Sequence, residues 1–189
     1  MLINQSNFSL NTYFTYLDKK IQTILLQPNK NILTYDILDT KKSYNLKLIS
    51  LKEKQYQMKI GNIWQEVLGN YKDCINLETH NKTGLDILSH NRKFIIELKN
   101  RTNTDNSSSK KTNFDKLSIF KKNNLDYTCI YGNINDNTEK KTLIGSIKKI
   151  LHNDVEIYQY IGYKLLKFIL EDDVDIVIEF VKKTINKYI

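Results

Sequence analysis

The sequence has few of the residues that build disulfide-linked or zinc-stabilised scaffolds. Its two cysteines, Cys74 and Cys129, are too few for a disulfide scaffold or a cysteine-rich zinc site in a chain of 189 residues. The three histidines show neither H-x-x-x-H nor Cys/His ligand spacing, which argues against zinc binding. Both cysteines are therefore predicted to be reduced packing residues in a reducing compartment.

Long apolar runs are also missing. No stretch approaches the length of a membrane span, and the N-terminal segment lacks the basic start and the continuous apolar stretch of a signal peptide. No G-x-x-x-x-G-K-[ST] pattern is present, which argues against an NTP-binding loop. We expect a soluble, cytoplasmic protein, and the abundance of asparagine and lysine indicates an AT-rich genome, either bacterial or that of a virus in an infected cell.

The charge is unbalanced towards basic residues. There are 29 Lys and Arg residues against 21 Asp and Glu residues, a formal net charge of +8, which favours a polyanionic partner such as nucleic acid. The alternative is a lysine-rich surface that only keeps the protein soluble. A hydrophobic fraction of 40% is typical of a globular protein, and this length predicts one domain over residues 1–189.

Apolar spacing predicts helices in the first third of the chain. Residues 11–26 fit a helix capped by Asn11 or Thr12, and the single proline, Pro28, follows its end. Residues 29–56 are ambiguous, because their apolar residues alternate as in a strand while their lysines also fit a helix. A continuous apolar stripe at i, i+3, i+4 and i+7 predicts a helix over residues 60–71, with Glu66 bordering that stripe.

The middle of the chain has strand character, and the end is helical again. The predicted strands are residues 85–88, 93–98, 127–131 and 142–144, and the first two form a hairpin. A polar loop is predicted at 100–111, and helices at 113–122, at 157–169 and at 174–185 after Asp172 or Asp173. The order indicates an α/β (α+β) fold with a small mixed central sheet flanked by helices. It divides into an N-terminal part (1–57), a catalytic core (58–150) and C-terminal helices (151–189).

Two carboxylates and a lysine lie at the ends of the predicted hairpin strands. Side chains alternate along a strand, so Glu97 and Lys99 point to the same side while Leu98 packs on the other. If the two strands pair, Asp86 approaches Glu97. Paired carboxylate oxygens suit Mg²⁺, which would polarise a phosphate and activate water, while Lys99 orients that water or stabilises the developing negative charge. The pattern predicts phosphodiester hydrolysis, and its alternative is a surface hairpin with ordinary ion pairs.

These residues resemble the motif of the PD-(D/E)xK nucleases, in particular bacterial type II restriction endonucleases. Leu85-Asp86 occupies the PD position, with leucine in place of proline, and Glu97-Leu98-Lys99 is the ExK element. A helix with Glu66 lies upstream and a polar run follows Lys99, so the resemblance covers roughly residues 58–131.

The resemblance implies a restriction-endonuclease-like fold and a set of roles. Asp86, Glu97 and the backbone carbonyl of Leu98 would bind Mg²⁺, with Mn²⁺ able to substitute, and Lys99 would be the catalytic lysine. Glu66 would act through a metal-bound water, or is simply an exposed helix glutamate. The enzyme would be a homodimer that cuts double-stranded DNA at a specific site, and a cognate DNA methyltransferase would protect the host.

The polar run after Lys99 offers candidate contacts to DNA phosphates. These are Arg101, Asn103, Ser107, Ser108, Lys110 and Lys111. The same composition also fits a solvated loop. Three alternatives to the restriction enzyme stay open at this point: a non-catalytic DNA-binding or packaging protein on a nuclease-like fold, a non-specific repair or degradation nuclease, and an interaction protein whose basic surface is incidental.

Overall fold

A mixed six-stranded sheet with helices on both faces forms the body of the protein. The computed structural model describes residues 8–28, 33–34, 37–77, 81–102 and 106–189. The helices are α1 (Leu10–Leu26), α2 (Lys41–Gly69), α3 (Ser107–Asn123), α4 (Glu139–Ile144), α5 (Tyr163–Leu170) and α6 (Val174–Tyr188). The strands are β1 (Cys74–Asn76), β2 (Ile87–Ser89), β3 (Phe94–Arg101), β4 (Thr128–Asn135), β5 (Ser146–His152) and β6 (Val155–Ile161). The predicted α+β class is confirmed.

The strand order β1-β2-β3-β4-β6-β5 places the predicted hairpin beside a parallel core. Strands β2 and β3 pair antiparallel, as predicted, whereas β3 pairs parallel with β4 and β4 pairs parallel with β6. The parallel step from β3 to β4 needs a crossover, and α3 supplies it. The carboxyl ends of β3 and β4 consequently lie at the same edge of the sheet.

Side chains on the two faces of the sheet pack into two separate hydrophobic cores. On one face, Ile96 and Ile130 pack with residues of α1, α2, α5 and α6. On the other face, Ile95 and Cys129 pack against Phe114 and Leu117 of α3. Both cysteines are buried and free, so the predicted packing role is confirmed. Among the described residues, no helix combines the length and apolar character needed to cross a bilayer.

Two segments that were ambiguous or predicted as strand are helical. Residues 41–56 form the first part of α2, because Thr40 and Ser43 close a capping box at its start. Residues 142–144, predicted as a strand, are instead the end of α4, whose first turn is capped by the Thr138 side chain.

The predicted start of one helix and the predicted N-cap of another are also wrong. The polar segment 100–111 is not one loop, because α3 begins at Ser107, where the Asn106 side chain accepts a hydrogen bond from the Ser109 backbone. Helix α1 is capped by Ser9 rather than by Asn11 or Thr12.

The predicted helix over 157–169 is wrong in its first part, where the chain forms β6. Asn153 and Asp154 both have positive φ, 50° and 63°, as a two-residue hairpin turn of type I′ requires. This turn directs the following residues back along β5 and into the sheet. The last predicted helix is confirmed as α6, but the Asp173 carboxylate accepts from the Tyr71 hydroxyl instead of capping it.

Candidate active site

Asp86 lies just before β2 and is held by the backbone of β3. Its backbone N–H donates to the Ile96 carbonyl at 3.0 Å, and its Oδ2 accepts from the Leu98 N–H at 2.7 Å. The register that pairs Ile87 with Ile96 places Asp86 opposite Glu97. The hairpin therefore brings the two predicted carboxylates onto neighbouring strands.

Glu97 is a buried carboxylate with one oxygen unpaired. Its side chain is on β3 and the residue is only 4% exposed. Oε1 accepts from Lys99 Nζ at 2.7 Å, but among the described residues no donor reaches the buried Oε2. Buried polar atoms are almost always paired, so this oxygen needs a partner beyond the described residues.

Burial disfavours the charged forms of both carboxylates. It raises the pKa of Glu97, and repulsion from Asp86 raises it further against the opposing effect of Lys99. Burial also raises the pKa of Asp86, although the Leu98 N–H and the charge of Lys99 act in the opposite direction. A bound cation would reverse this cost for both groups.

A second lysine approaches the carboxylates from α3. Lys116 Nζ donates to the Gly84 carbonyl at 3.1 Å, and its charge lowers the pKa of both Asp86 and Glu97. Gly84 has φ 62°, and a Cβ there would lie 3.3 Å from Lys116 Nζ. Lys116 was not among the predicted site residues, although its place between buried Phe114 and Leu117 on α3 puts it at the margin of the core.

These groups fit Mg²⁺ in number and in chemistry. Glu97 Oε2 and the carboxylate of Asp86 are hard oxygen donors. Within one strand residue the N–H and C=O point to the same side, so the Leu98 carbonyl faces the side where Asp86 lies. No cluster of three or more His, Cys, Asp or Glu residues suited to a metal occurs in the described part of the chain. Mg²⁺ is usually held by one or two carboxylates together with waters and substrate phosphate, so two carboxylates suffice.

A groove runs from this site along the carboxyl ends of β3 and β4. It consists of two adjoining cavities of about 610 and 820 Å³ that share Gln57, Asn100 and Arg101. Lys99 lines the first cavity, and Asn135 lines the second. Helix α2 forms one wall of the groove. Its Gly61 has no side chain and leaves room there for the Asn100 side chain.

A model of the Eco47II restriction endonuclease family matches residues 3–188. The chain belongs to the Eco47II restriction endonuclease family. It is therefore a type II restriction endonuclease-like protein, a nuclease whose substrate is DNA. The match extends well beyond residues 58–131, so the flanking helices belong to the family unit as well. A search of curated proteins found no match.

In this Eco47II-family chain, Glu66 makes its contacts with α1 and with Asn70, the residue that follows α2. Its Oε2 accepts from the Tyr16 hydroxyl at 2.6 Å and from Asn70 Nδ2 at 3.0 Å, and Lys20 Nζ lies 3.6 Å from Oε1. It lines a separate cavity of about 490 Å³ that shares no lining residue with the groove beside Lys99. These contacts favour a role in holding α1 against α2, and catalysis by Glu66 stays a prediction.

The predicted phosphate contacts of the Eco47II-family chain fall into two groups. Arg101 is exposed at the end of β3 and lines the groove. The other described members lie exposed in the first two turns of α3, namely Ser107, Ser108, Lys110 and Lys111. Asn103 lies outside the described residues. The structure thus separates a group on α3 from Arg101 in the groove.

Proposed function

We propose that this protein is a Mg²⁺-dependent type II restriction endonuclease that hydrolyses double-stranded DNA at a specific site. The observation that carries the proposal is the buried, unpaired Oε2 of Glu97 on the strand next to Asp86. Glu97 is buried and Asp86 is half-buried, and a divalent cation would stabilise their charged forms, which burial disfavours. The PD-(D/E)xK assignment of Asp86, Glu97 and Lys99 belongs to this proposal.

Mg²⁺ would be held by Asp86, Glu97 and the Leu98 carbonyl, and Mn²⁺ would substitute for it. When bound, it would polarise the scissile phosphate and lower the pKa of a coordinated water. The Leu98 N–H fixes the orientation of the Asp86 carboxylate, which leaves the other carboxylate oxygen for the metal. Side chains fixed in this way before binding need little rearrangement during the reaction.

Lys99 supplies the positive charge that does not depend on the metal. Its ammonium is held 2.7 Å from Glu97 Oε1 on the same side of β3, and the side chain is 23% exposed. It can therefore reach the substrate while remaining in a fixed position. There it donates hydrogen bonds to the attacking water or to the phosphate oxygen on which negative charge develops.

DNA would be held at the mouth of the site by its phosphates. Ser107 and Ser108 lie in the first turn of α3, where backbone N–H groups lack partners within the helix, and Lys110 and Lys111 add charge. Arg101 contributes from the end of β3. The net charge of +8 gives this binding its dependence on salt.

We infer that the active enzyme is a homodimer, because a two-fold symmetric pair places one active site on each strand of a palindromic site. Host DNA containing that site would need protection, so we also expect a DNA methyltransferase of the same specificity.

Cleavage of a long unmethylated duplex tests the proposal. The protein, Asp86→Asn and Lys99→Ala are incubated with DNA in Mg²⁺, in Mn²⁺ and in EDTA, with Asp126→Asn at an exposed ion pair as the control. Discrete fragments from the protein and the control, absent in EDTA and in both site variants, would support it. A smear would indicate a nuclease without site preference. Intact DNA in both metals would contradict catalysis by this site.

A further inference from the structure

The groove contains a chain of three amide side chains that begins one residue beyond Lys99. Asn135 Nδ2 donates to the backbone carbonyl of Asn100 at 2.9 Å and to its side-chain Oδ1 at 3.0 Å. Asn100 Nδ2 in turn lies 3.3 Å from Gln57 Oε1 and 3.5 Å from the Gln57 carbonyl. The chain links β4, β3 and α2 across the floor of the groove.

The orientation of these amides is fixed by the backbone. The Asn135 atom that faces the Asn100 carbonyl must be its NH₂ group, and the same holds for the Asn100 atom that faces the Gln57 carbonyl. The hydrogen bonds between the three amides therefore run in one direction, from Asn135 to Asn100 and from Asn100 to Gln57. Two side-chain atoms remain at the ends without a hydrogen-bond partner among the described residues: the acceptor Oδ1 of Asn135 and the donor Nε2 of Gln57.

The charge of the groove favours base edges over phosphates as its ligand. Three basic and three acidic side chains line it, and the rest of its polar surface is mostly amide and hydroxyl. The basic members are Lys54, Lys99 and Arg101, and the acidic members are Glu53, Asp136 and Glu139. A phosphate site would carry an excess of cations. Base edges present donors and acceptors together, and amide side chains match that combination.

We propose that the amide chain Gln57–Asn100–Asn135 reads base edges of the DNA site and thereby determines which sequence is cleaved. The outward Gln57 NH₂ fits an acceptor such as a purine N7, and the outward Asn135 oxygen fits an exocyclic amino group. Asn100 makes no outward contact of its own and positions the two ends. Asn100 directly follows Lys99 on β3, so a base bound in the groove would contact the same strand that holds the proposed catalytic lysine.

The variant Gln57→Glu distinguishes the proposed contact of Gln57 with a base from its hydrogen bond to Asn100. The glutamate keeps an oxygen where Asn100 donates, and replaces only the outward NH₂ by an acceptor. Gln57→Met removes both functions without adding charge. The matched control is Asn62→Asp, which makes the same kind of change at an exposed position of the same helix, lining the cavity of Glu66.

The assay is competitive cleavage of a duplex pool that contains the preferred site and each of its single-base-pair substitutions. Sequencing the fragments gives the relative kcat/KM of every member, and a uniform loss of activity cancels in these ratios. We expect Gln57→Glu and Gln57→Met to change the ratio at one position of the site by roughly 5- to 150-fold, as for loss of one good base contact. Asn62→Asp should leave all ratios unchanged.

Ratios that stay unchanged in both Gln57 variants while the protein cuts at discrete sites would overturn this inference and leave the proposed function intact. The inference rests on that function, whose failure would be visible in the unaltered protein as a smear or as intact DNA.

Discussion

Replacing Glu97 by glutamine should make the metal-free protein more stable and the enzyme inactive. The carboxylate is buried and one of its oxygens is unpaired, and the combined effect of burial and Asp86 raises its pKa in spite of Lys99. The charged form therefore costs free energy in the folded protein when no cation is present. Glutamine has nearly the same shape, keeps an acceptor for Lys99 and carries no charge.

The size of the gain follows from two opposing effects. Relief of desolvation and of repulsion from Asp86 stabilises the variant, whereas the loss of the ion pair with Lys99, a side chain 23% exposed, offsets part of it. We expect a net gain of about 1 kcal/mol in the free energy of unfolding in EDTA. For a chain of this length, that gain raises Tm by roughly 2–4 °C.

Magnesium should reverse the order of stability. In the unaltered protein, Mg²⁺ at about 100 times its dissociation constant adds about 2.7 kcal/mol, and Glu97→Gln should lose most of this gain. The assay is thermal unfolding of both proteins in EDTA and across a Mg²⁺ titration, alongside DNA cleavage, which should fall at least about 100-fold. Glu179→Gln, at an exposed ion pair on α6, is the control and should behave as the unaltered protein. A variant that is less stable in EDTA, or equally stabilised by Mg²⁺, would refute the reasoning.

Four further substitutions test separate parts of the structure. Lys99→Ala should lower cleavage by about 10²–10³-fold while DNA binding, measured by gel shift, persists. Glu66→Gln should leave cleavage nearly unchanged, and a loss as large as that of Lys99→Ala would show that Glu66 is catalytic. Tyr13→Phe removes a buried 2.5 Å hydrogen bond to the Val67 carbonyl and should cost about 1–2 kcal/mol in urea unfolding. Gly84→Ala, at φ 62°, should lower the free energy of unfolding by about 1–2 kcal/mol in the same urea experiment. An unchanged unfolding midpoint would show that alanine is not strained at this position.

The hairpin at the centre of the site could be predicted because its signal is local. Alternation along β3 determines which side Glu97 and Lys99 share, and the short turn after Ser89 determines the pairing that brings Asp86 opposite. Both features need only neighbouring residues. The family match then agrees with the function that the motif suggested.

The parts that the sequence did not reveal depend on contacts between distant segments. Residues 157–161 fit a helical period, but the Asn153-Asp154 turn places them in a sheet, where β4 pairs with them. Gln57 lies between the ambiguous segment 29–56 and the helix predicted over residues 60–71, and its place in the groove is set by how α2 crosses β3. The amide chain joins residues 78 positions apart, since it runs from Gln57 to Asn135.

The eight consecutive residues of β3 serve packing, the proposed chemistry and the proposed reading of DNA, in that order. Phe94 to Ile96 belong to the core, Glu97 and Lys99 belong to the candidate active site, and Asn100 and Arg101 line the groove. An insertion or deletion in β3 ahead of Glu97 would move Glu97 to the opposite face of the sheet and bring an apolar side chain into its place. By the proposal above, exchanging side chains on α2 and β4 would change the target sequence, whereas a change in the length of β3 before Lys99 would disrupt the candidate site.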